Sequence, residues 1–487
     1  MIIPNYIKNT INTLEKAGFE AYIVGGCVRD LLMEKEPRDW DVTTKARPKE
    51  ILNLFPDAKY ENIFGTVIIP IKDENRKTEH EIEVTTFRSE QGYSDRRHPD
   101  EIVFEDDIEK DLSRRDFTVN AIAIRVQSPK SKVQSPLGDI IDLFGGEDDI
   151  KKKIIRAVGE PSDRFKEDAL RMMRCIRLAC QLEFDIEPKT ERAIAKLAGA
   201  IKFITNERIR EELIKILASK QTSRGVMLLH DTKLLQYILP ELERGVGVAQ
   251  DRHHVYTVFK HSILSLKHCP SEDWRVRFAA LLHDVAKPQT KKIIKGIATF
   301  YNHELVGARM VERIMRRFKF SCRDTEKIVN LVKSHMFYYN VGEVTASSVR
   351  RLVTKVGEEN LADLIHLRIG DRLGSGVPKA KPYKLRHLEY MLKRVREDPV
   401  SVKTLKINGD DLSDSGILRG PKMGAILDIL LSEVIDNPDL NNKENLLKRT
   451  EELKTIDLDE LLRQAKKKIY KKREEDDNRM KDEFWVK

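Results

Sequence analysis

Residues 21–44 read AYIVGGCVRDLLMEKEPRDWDVTT. AYIV has the make-up of a buried strand, Gly25-Gly26 of a turn, and CVRDLL of a helix start. Two glycines let the backbone approach a ligand closely, so the turn amides can hold triphosphate oxygens, and Arg29 adds a charge-assisted fork to them. A second strand then carries Asp39 and Asp41, two residues apart and so directed to one face. Two carboxylates there suit Mg²⁺ shared with nucleotide phosphates. By itself an Asp-x-Asp pair is commonplace and mostly idle, so the surrounding sequence has to decide.

Working outward, INTLEKAG closes a helix at Gly18, and TVIIPIK and EIEVTTF alternate like sheet strands. Glu83 in EIEVTTF is the candidate for a third acid on a neighbouring strand. In DLSRRDFTVNAIAI (111–124), Arg114 and Arg115 suit phosphate and Asn120 a ribose hydroxyl. VQSPKSKVQSP (126–136) repeats itself briefly and reads as a surface insertion.

From about residue 150 the periodicity is helical. EDALRMMRCIR (167–177) spaces Asp168, Arg171, Arg174 and Arg177 by three, which predicts one slanting stripe on a helix. A carboxylate beside a guanidinium matches the amino donor and ring-nitrogen acceptor of cytosine or adenine. Guanine and uracil present the reverse order. The plain alternative is a salt-bridged helix face.

In order and spacing these stretches resemble the tRNA nucleotidyltransferase/poly(A) polymerase family of the DNA polymerase β superfamily, in its bacterial class, over roughly residues 20–240. GGCVRD is similar to that family's phosphate turn, DWD to its metal pair and RSEQGYSDRRHPDEIVF (88–104) to its flexible loop. RRDFTVNA is similar to its ribose motif and EDALRMMR to its amino-acid template for the incoming base. The resemblance implies an α/β nucleotidyltransferase head with a mixed β-sheet, followed by an all-α neck, body and tail. It implies that Asp39 and Asp41 are the catalytic Mg²⁺ ligands and that Gly26, Arg29, Arg115, Asp168, Arg171, Arg174 and Arg177 bind nucleotide.

The implied reaction is addition of CMP and AMP from CTP and ATP to a tRNA 3′ end. The kept loop argues against CC-only addition. INGDDLSDSGILRGPKMGAIL (407–427) resembles the tail of CCA-adding members, and its glycines and helix starts suit a backbone grip on RNA phosphates. A-only addition and poly(A) synthesis are the alternatives.

A second constellation follows. His261, His283-Asp284, His303, His335 and Asp371 fall in the order of the HD phosphohydrolase superfamily, whose members bind a divalent metal that activates water. His253 and His254 rival His261 as the first ligand. The HD-type body is either such a hydrolase, acting on RNA ends, or a helical brace for tRNA. The expected divisions are 1–150 (head), 151–245 (neck), 246–375 (HD-type body) and 376–487 (tail).

Composition agrees. At 487 residues, three or four domains are expected. The net charge of +9 favours a polyanionic partner. Five scattered cysteines without CxxC point to reduced thiols. The first residues lack the basic-then-apolar pattern of a signal peptide and no apolar run reaches membrane-spanning length, so a cytoplasmic location without membrane contact is expected. The charged tail LLRQAKKKIYKKREEDDNRMKDEF reads as a solvated helix or as an RNA contact.

Overall fold

AYIV forms strand β1 (Ala21–Val24), with all four residues buried. Eight further strands follow in chain order: β2 (Asp41–Thr44), β3 (Lys59–Tyr60), β4 (Thr66–Asp73), β5 (Thr78–Thr86), β6 (Arg88–Gln91), β7 (Glu101–Phe104), β8 (Ile122–Arg125) and β9 (Asp139–Asp142). Seven make one sheet in the order β3-β4-β5-β2-β1-β8-β9. The β2–β5 pair is parallel and the other pairs are antiparallel, so the sheet is mixed, as expected. At its centre β1 is buried along its whole length, while β5 alternates as its sequence does, with Ile82 and Val84 fully buried and Glu81 and Glu83 exposed. The β2–β5 register sets Asp41 directly beside Glu83.

This computed structural model describes residues 3–61, 65–73, 78–91, 101–126, 138–250, 255–337, 339, 345–376, 383–395 and 401–464. It divides into two compact units, Met1–Glu243 with Arg317–Phe320, and Arg244–Arg316 with Ser321–Lys487. Both flanks of the expected flexible loop pair as the β6–β7 ladder, while residues 92–100 lie outside the described residues. So do most of the 126–136 insertion, the rival ligands His253 and His254, and the charged tail from residue 465.

Beyond β9 the first unit is helical apart from a short parallel pair, Ile154–Ile155 with Asp185–Ile186, so the neck is not all-α as expected. Leu170–Leu182 buries Leu170, Met172, Met173, Cys175, Ile176, Leu178, Ala179 and Cys180. Every third position, Arg171, Arg174 and Arg177, stays half-buried on the remaining side. Burying that apolar face is worth roughly 1.5–3 kcal/mol per large side chain, so it sets which way the arginines point.

The second unit is helical apart from a short hairpin, Lys292–Ile294 with Ile297–Thr299. Its helix Leu361–Gly374 lies against Val258–His268 at backbone contact. A Cβ on Gly370 would sit 2.5 Å from the Ser265 carbonyl oxygen, and one on Gly374 2.5 Å from Ser265 Oγ. Two glycines one turn apart therefore let these helices close together, and the approach carries Asp371 to His261. Helices Pro421–Asp436 and Lys443–Lys454 close a separate core around Leu412, Ile426, Leu430, Val434, Leu446 and Leu453. All five cysteines are unbridged. Among the described residues, no helix is long and apolar enough to cross a membrane.

Candidate functional site

Gly25 is the residue on which the head site turns. Its φ of +85° is a left-handed conformation that side-chain-bearing residues rarely adopt. A Cβ there would also lie 3.2 Å from Arg115 Nη1 and 3.3 Å from Asp41 Oδ2. The turn, the β2 carboxylate and the Arg115 guanidinium thus converge on one spot. Gly26, the glycine singled out from the sequence, opens the helix Gly26–Leu32 with ordinary van der Waals space around it.

Asp41 begins β2, but Asp39 lies outside the strand in a bend and is exposed. The two acids are therefore not successive same-face positions of one strand. Pro37, two residues earlier, lacks the N–H a ladder needs. Burial raises the Asp41 carboxyl; Arg115 opposes the rise and Asp39 adds to it. Glu83 is raised by burial and then by Asp41, Glu61, Asp39 and Glu81. Neighbouring acids thus disfavour the charge of Asp41 and of Glu83, and a divalent cation beside them would relieve that repulsion, so the donor set fits a metal.

Arg29 is fixed by Asp30, which accepts from Nε at 2.9 Å and from Nη2 at 2.7 Å, and by Asn120 Oδ1, which accepts from Nη1 at 2.7 Å. The expected phosphate and ribose residues are therefore hydrogen-bonded to each other. Arg114 and Arg115 both donate to the buried Asp111, at 2.7 and 3.1 Å.

The expected stripe is broken at its first member. Asp168 ends helix Pro161–Glu167 in extended conformation (φ −138°), before the helix that carries Arg171 begins. Each stripe residue has its own partner. Asp168 accepts from Arg208, Arg171 pairs with Glu167, Arg174 with Asp116 and Arg177 with the buried Glu212. Burial pushes the Asp116 carboxyl up. The neighbouring Arg174 and Arg171 charges, with hydrogen bonds from Arg174 and Asn120, outweigh it and bring the carboxyl down to about 2. Asp116 so links Arg174 to the Asn120–Arg29 pair. Asp111, Asp116, Arg208 and Glu212 escaped the sequence reading. Only Asp111, four residues before Arg115, had a local spacing signal.

In the second unit all six HD-type residues are buried and converge. Donor atoms of His261, His283 and Asp371 lie within 4.8 Å of one another, as do those of His283, Asp284 and His335. His303 Nε2 stands 3.2 Å from Asp284 Oδ1. His283, His303 and His335 each set Nδ1 against a backbone carbonyl, of Ala280, Phe300 and Val332, at 2.8, 2.7 and 2.7 Å. A carbonyl only accepts, so each Nδ1 carries a proton and each ring turns its Nε2 inward, where a metal would displace any proton held there. The Nε2 atoms of His303 and His335 then face each other at 3.3 Å. Two lone pairs at that distance repel unless a cation lies between them, so these residues also fit a metal. Burial lowers the His283 imidazole, but Asp284 and Asp371 more than reverse this and lift it to about 10. Burial together with His283 and His303 holds His335 well below the ordinary range.

With this geometry in view, residues 21–156 match the poly A polymerase head domain, residues 183–245 the probable RNA and SrmB-binding site of polymerase A, and residues 253–373 the HD domain. A CCA-adding enzyme of Limosilactobacillus fermentum is 32% identical over 445 residues, 91% of this chain and 95% of that one. The chain belongs to the CCA-adding enzyme family. Another CCA-adding enzyme, from Lactobacillus helveticus, is 45% identical over 225 residues, and that match spans about half of each chain, 46% of this one and 52% of the relative. The crystal structure of the Bacillus stearothermophilus CCA-adding enzyme in complex with CTP matches with TM-score 0.68 at 26% identity, covering 93% of this chain and 98% of that one. The Thermotoga maritima CCA-adding enzyme complexed with tRNA, at 20% identity and TM-score 0.58, shares the fold. Family membership makes the chain a nucleotidyltransferase with an appended HD domain. It also bears out the fold expected of the family, a mixed-sheet head followed by helices.

Proposed function

We propose that this chain adds CMP and then AMP to tRNA 3′ ends, the tRNA 3′-hydroxyl attacking the α-phosphate of CTP or ATP and pyrophosphate leaving. The convergence of the Gly25 turn, Asp41 and Arg115 carries the proposal. Turn amides, a carboxylate and a guanidinium gathered at one spot support a triphosphate-binding reading. Arg29, pre-set by Asp30 and Asn120, and Arg115 bind the phosphates. Asp168 accepts from the base amino group and Arg171 donates to the ring nitrogen, while Arg174 and Arg177, paired with Asp116 and Glu212, support the nucleotide and the geometry of that pair. Asp39 and Asp41 would hold Mg²⁺, with Glu83 beside Asp41, and the ion would supply Lewis-acid activation of the hydroxyl and the phosphate. The four-part organisation at 150, 245 and 375 and a cytoplasmic site of action belong to this reading.

The test is extension of tRNA transcripts ending before C74, at C75 and after A76, with each NTP and Mg²⁺. Addition of C, C and A with arrest is expected. A-only addition to the C75 transcript, or long A tails, would replace this reading with one of its alternatives.

A second reading concerns the HD cluster and is favoured by the His303–His335 geometry. His261, His283, Asp284, His303, His335 and Asp371 would hold a divalent metal that supplies an activated water for phosphoester hydrolysis at RNA ends. Metal analysis, with assay of 2′,3′-cyclic and 3′-phosphate tRNA ends, tests it.

A further inference from the structure

We infer that Arg208 is a positioning residue for base choice: it holds the Asp168 carboxylate open for an incoming base and keeps it from closing on Arg171. This rests on the reading of Asp168 and Arg171 as the base-recognising pair. Asp168 and Arg171 are opposite charges three residues apart, and left alone they would satisfy each other. The structure keeps them apart by giving each another partner. Arg208 Nη2 donates to Asp168 Oδ2 at 2.6 Å, with Nη1 3.4 Å from Oδ1, and the Leu170 N–H donates to Oδ1 at 2.9 Å. Both oxygens are thus anchored from the protein side, and their remaining lone pairs are the ones offered to a ligand.

The clamp comes from a helix remote in sequence. Arg208 lies in the first turn of Asn206–Ala218, and Glu212, one turn on, pairs with Arg177 at 3.0 Å. The same helix face therefore meets an acid and then an arginine with an arginine and then an acid. A slip of one turn would set Arg208 against Arg177, so the charge order fixes the register that brings Arg208 to Asp168. A planar fork suits this task, because a lysine holds one oxygen without fixing the carboxylate plane.

The experiment compares the full-length chain with Arg208→Ala, Arg208→Lys, Arg208→Gln and Arg171→Ala. It measures kcat/KM for CTP against UTP on a tRNA ending before C74, and for ATP against GTP on one ending at C75. In Arg208→Ala both ratios are expected to fall about tenfold, the scale of one lost charge-assisted contact, with partial recovery in Arg208→Lys. A uniform loss of rate for all four nucleotides, with the ratios kept, would reduce Arg208 to a structural brace and overturn the inference. If Arg208→Ala does not fold, Arg208→Lys and Arg208→Gln carry the same comparison. Selectivity lost in Arg171→Ala but kept in every Arg208 variant refutes the clamp alone. Selectivity kept in all variants refutes the base-reading pair itself and the clamp with it.

Discussion

The two acid-bearing centres of this chain are built in opposite ways. In the head, Asp39 and Glu83 are exposed, Asp41 is half-buried, and the acids meet through the bend before β2 and the β2–β5 register. In the HD domain, six residues from five separate segments of the chain are buried and converge. Among the described residues, the groups of three or more potential metal donors within 4.8 Å are both in the HD domain. The contrast teaches what each site waits for. Mg²⁺ favours a few carboxylates plus substrate oxygens, so on the proposed reading the open head site is one the nucleotide completes. A histidine-rich cluster with its ring protons tied to carbonyls is complete before any substrate arrives.

The largest effect that would break this contrast is on transfer. Asp41→Ala should cost roughly 10³-fold in single-turnover CMP addition while CTP binding, followed by fluorescence or calorimetry, persists. Transfer near the parent rate would remove the head site from the chemistry. Next, His283→Ala should abolish stoichiometric metal binding by the HD domain in elemental analysis, yet leave CMP addition within about twofold. A parallel loss of transfer would mean that the two centres are not independent.

A smaller effect concerns Asp116. Its carboxyl lies near 2 in the folded chain against about 3.9 unfolded, so it stabilises by about 2 kcal/mol above pH 4 and loses that contribution as pH falls from 4 towards 2. Asp116→Asn should lower denaturant stability by that amount at pH 7 and show a shallower acid limb over that window; an unchanged acid limb would mean that the Arg174 pairing is not holding the charge. The smallest is a sign. Because Asp41 and Glu83 are both raised, their neutralisation should help the metal-free fold. Glu83→Gln should raise the metal-free melting temperature slightly and shrink the further rise on adding Mg²⁺. A fall would show that the crowded acids are stabilised in some other way.

Much of the site was legible because its chemistry is local. The Gly-Gly turn, the acid pair and the arginine spacing each sit within a few residues. The misreadings were also local. Asp168 and Asp39 were assigned to the helix and the strand beside them, because spacing alone cannot say where a helix begins or a strand stops. The sequence does not single out Gly25, because a positive φ is a property of the folded turn. The HD ligands were legible as an order of residue types, but their convergence depends on Gly370 and Gly374 letting two helices touch.

By itself the sequence determined the mixed-sheet head and the mainly helical remainder, and it named the acids and the HD-type residues proposed above, because periodicity and motif spacing are written along the chain. The tertiary structure alone decided that Glu83 stands beside Asp41, that Asp116 links Arg174 to Asn120, and that Arg208 reaches Asp168 across 40 residues. The physical reason is that a charge needs its counter-charge within a few ångströms in space, and only strand register and helix packing say which distant residue supplies it.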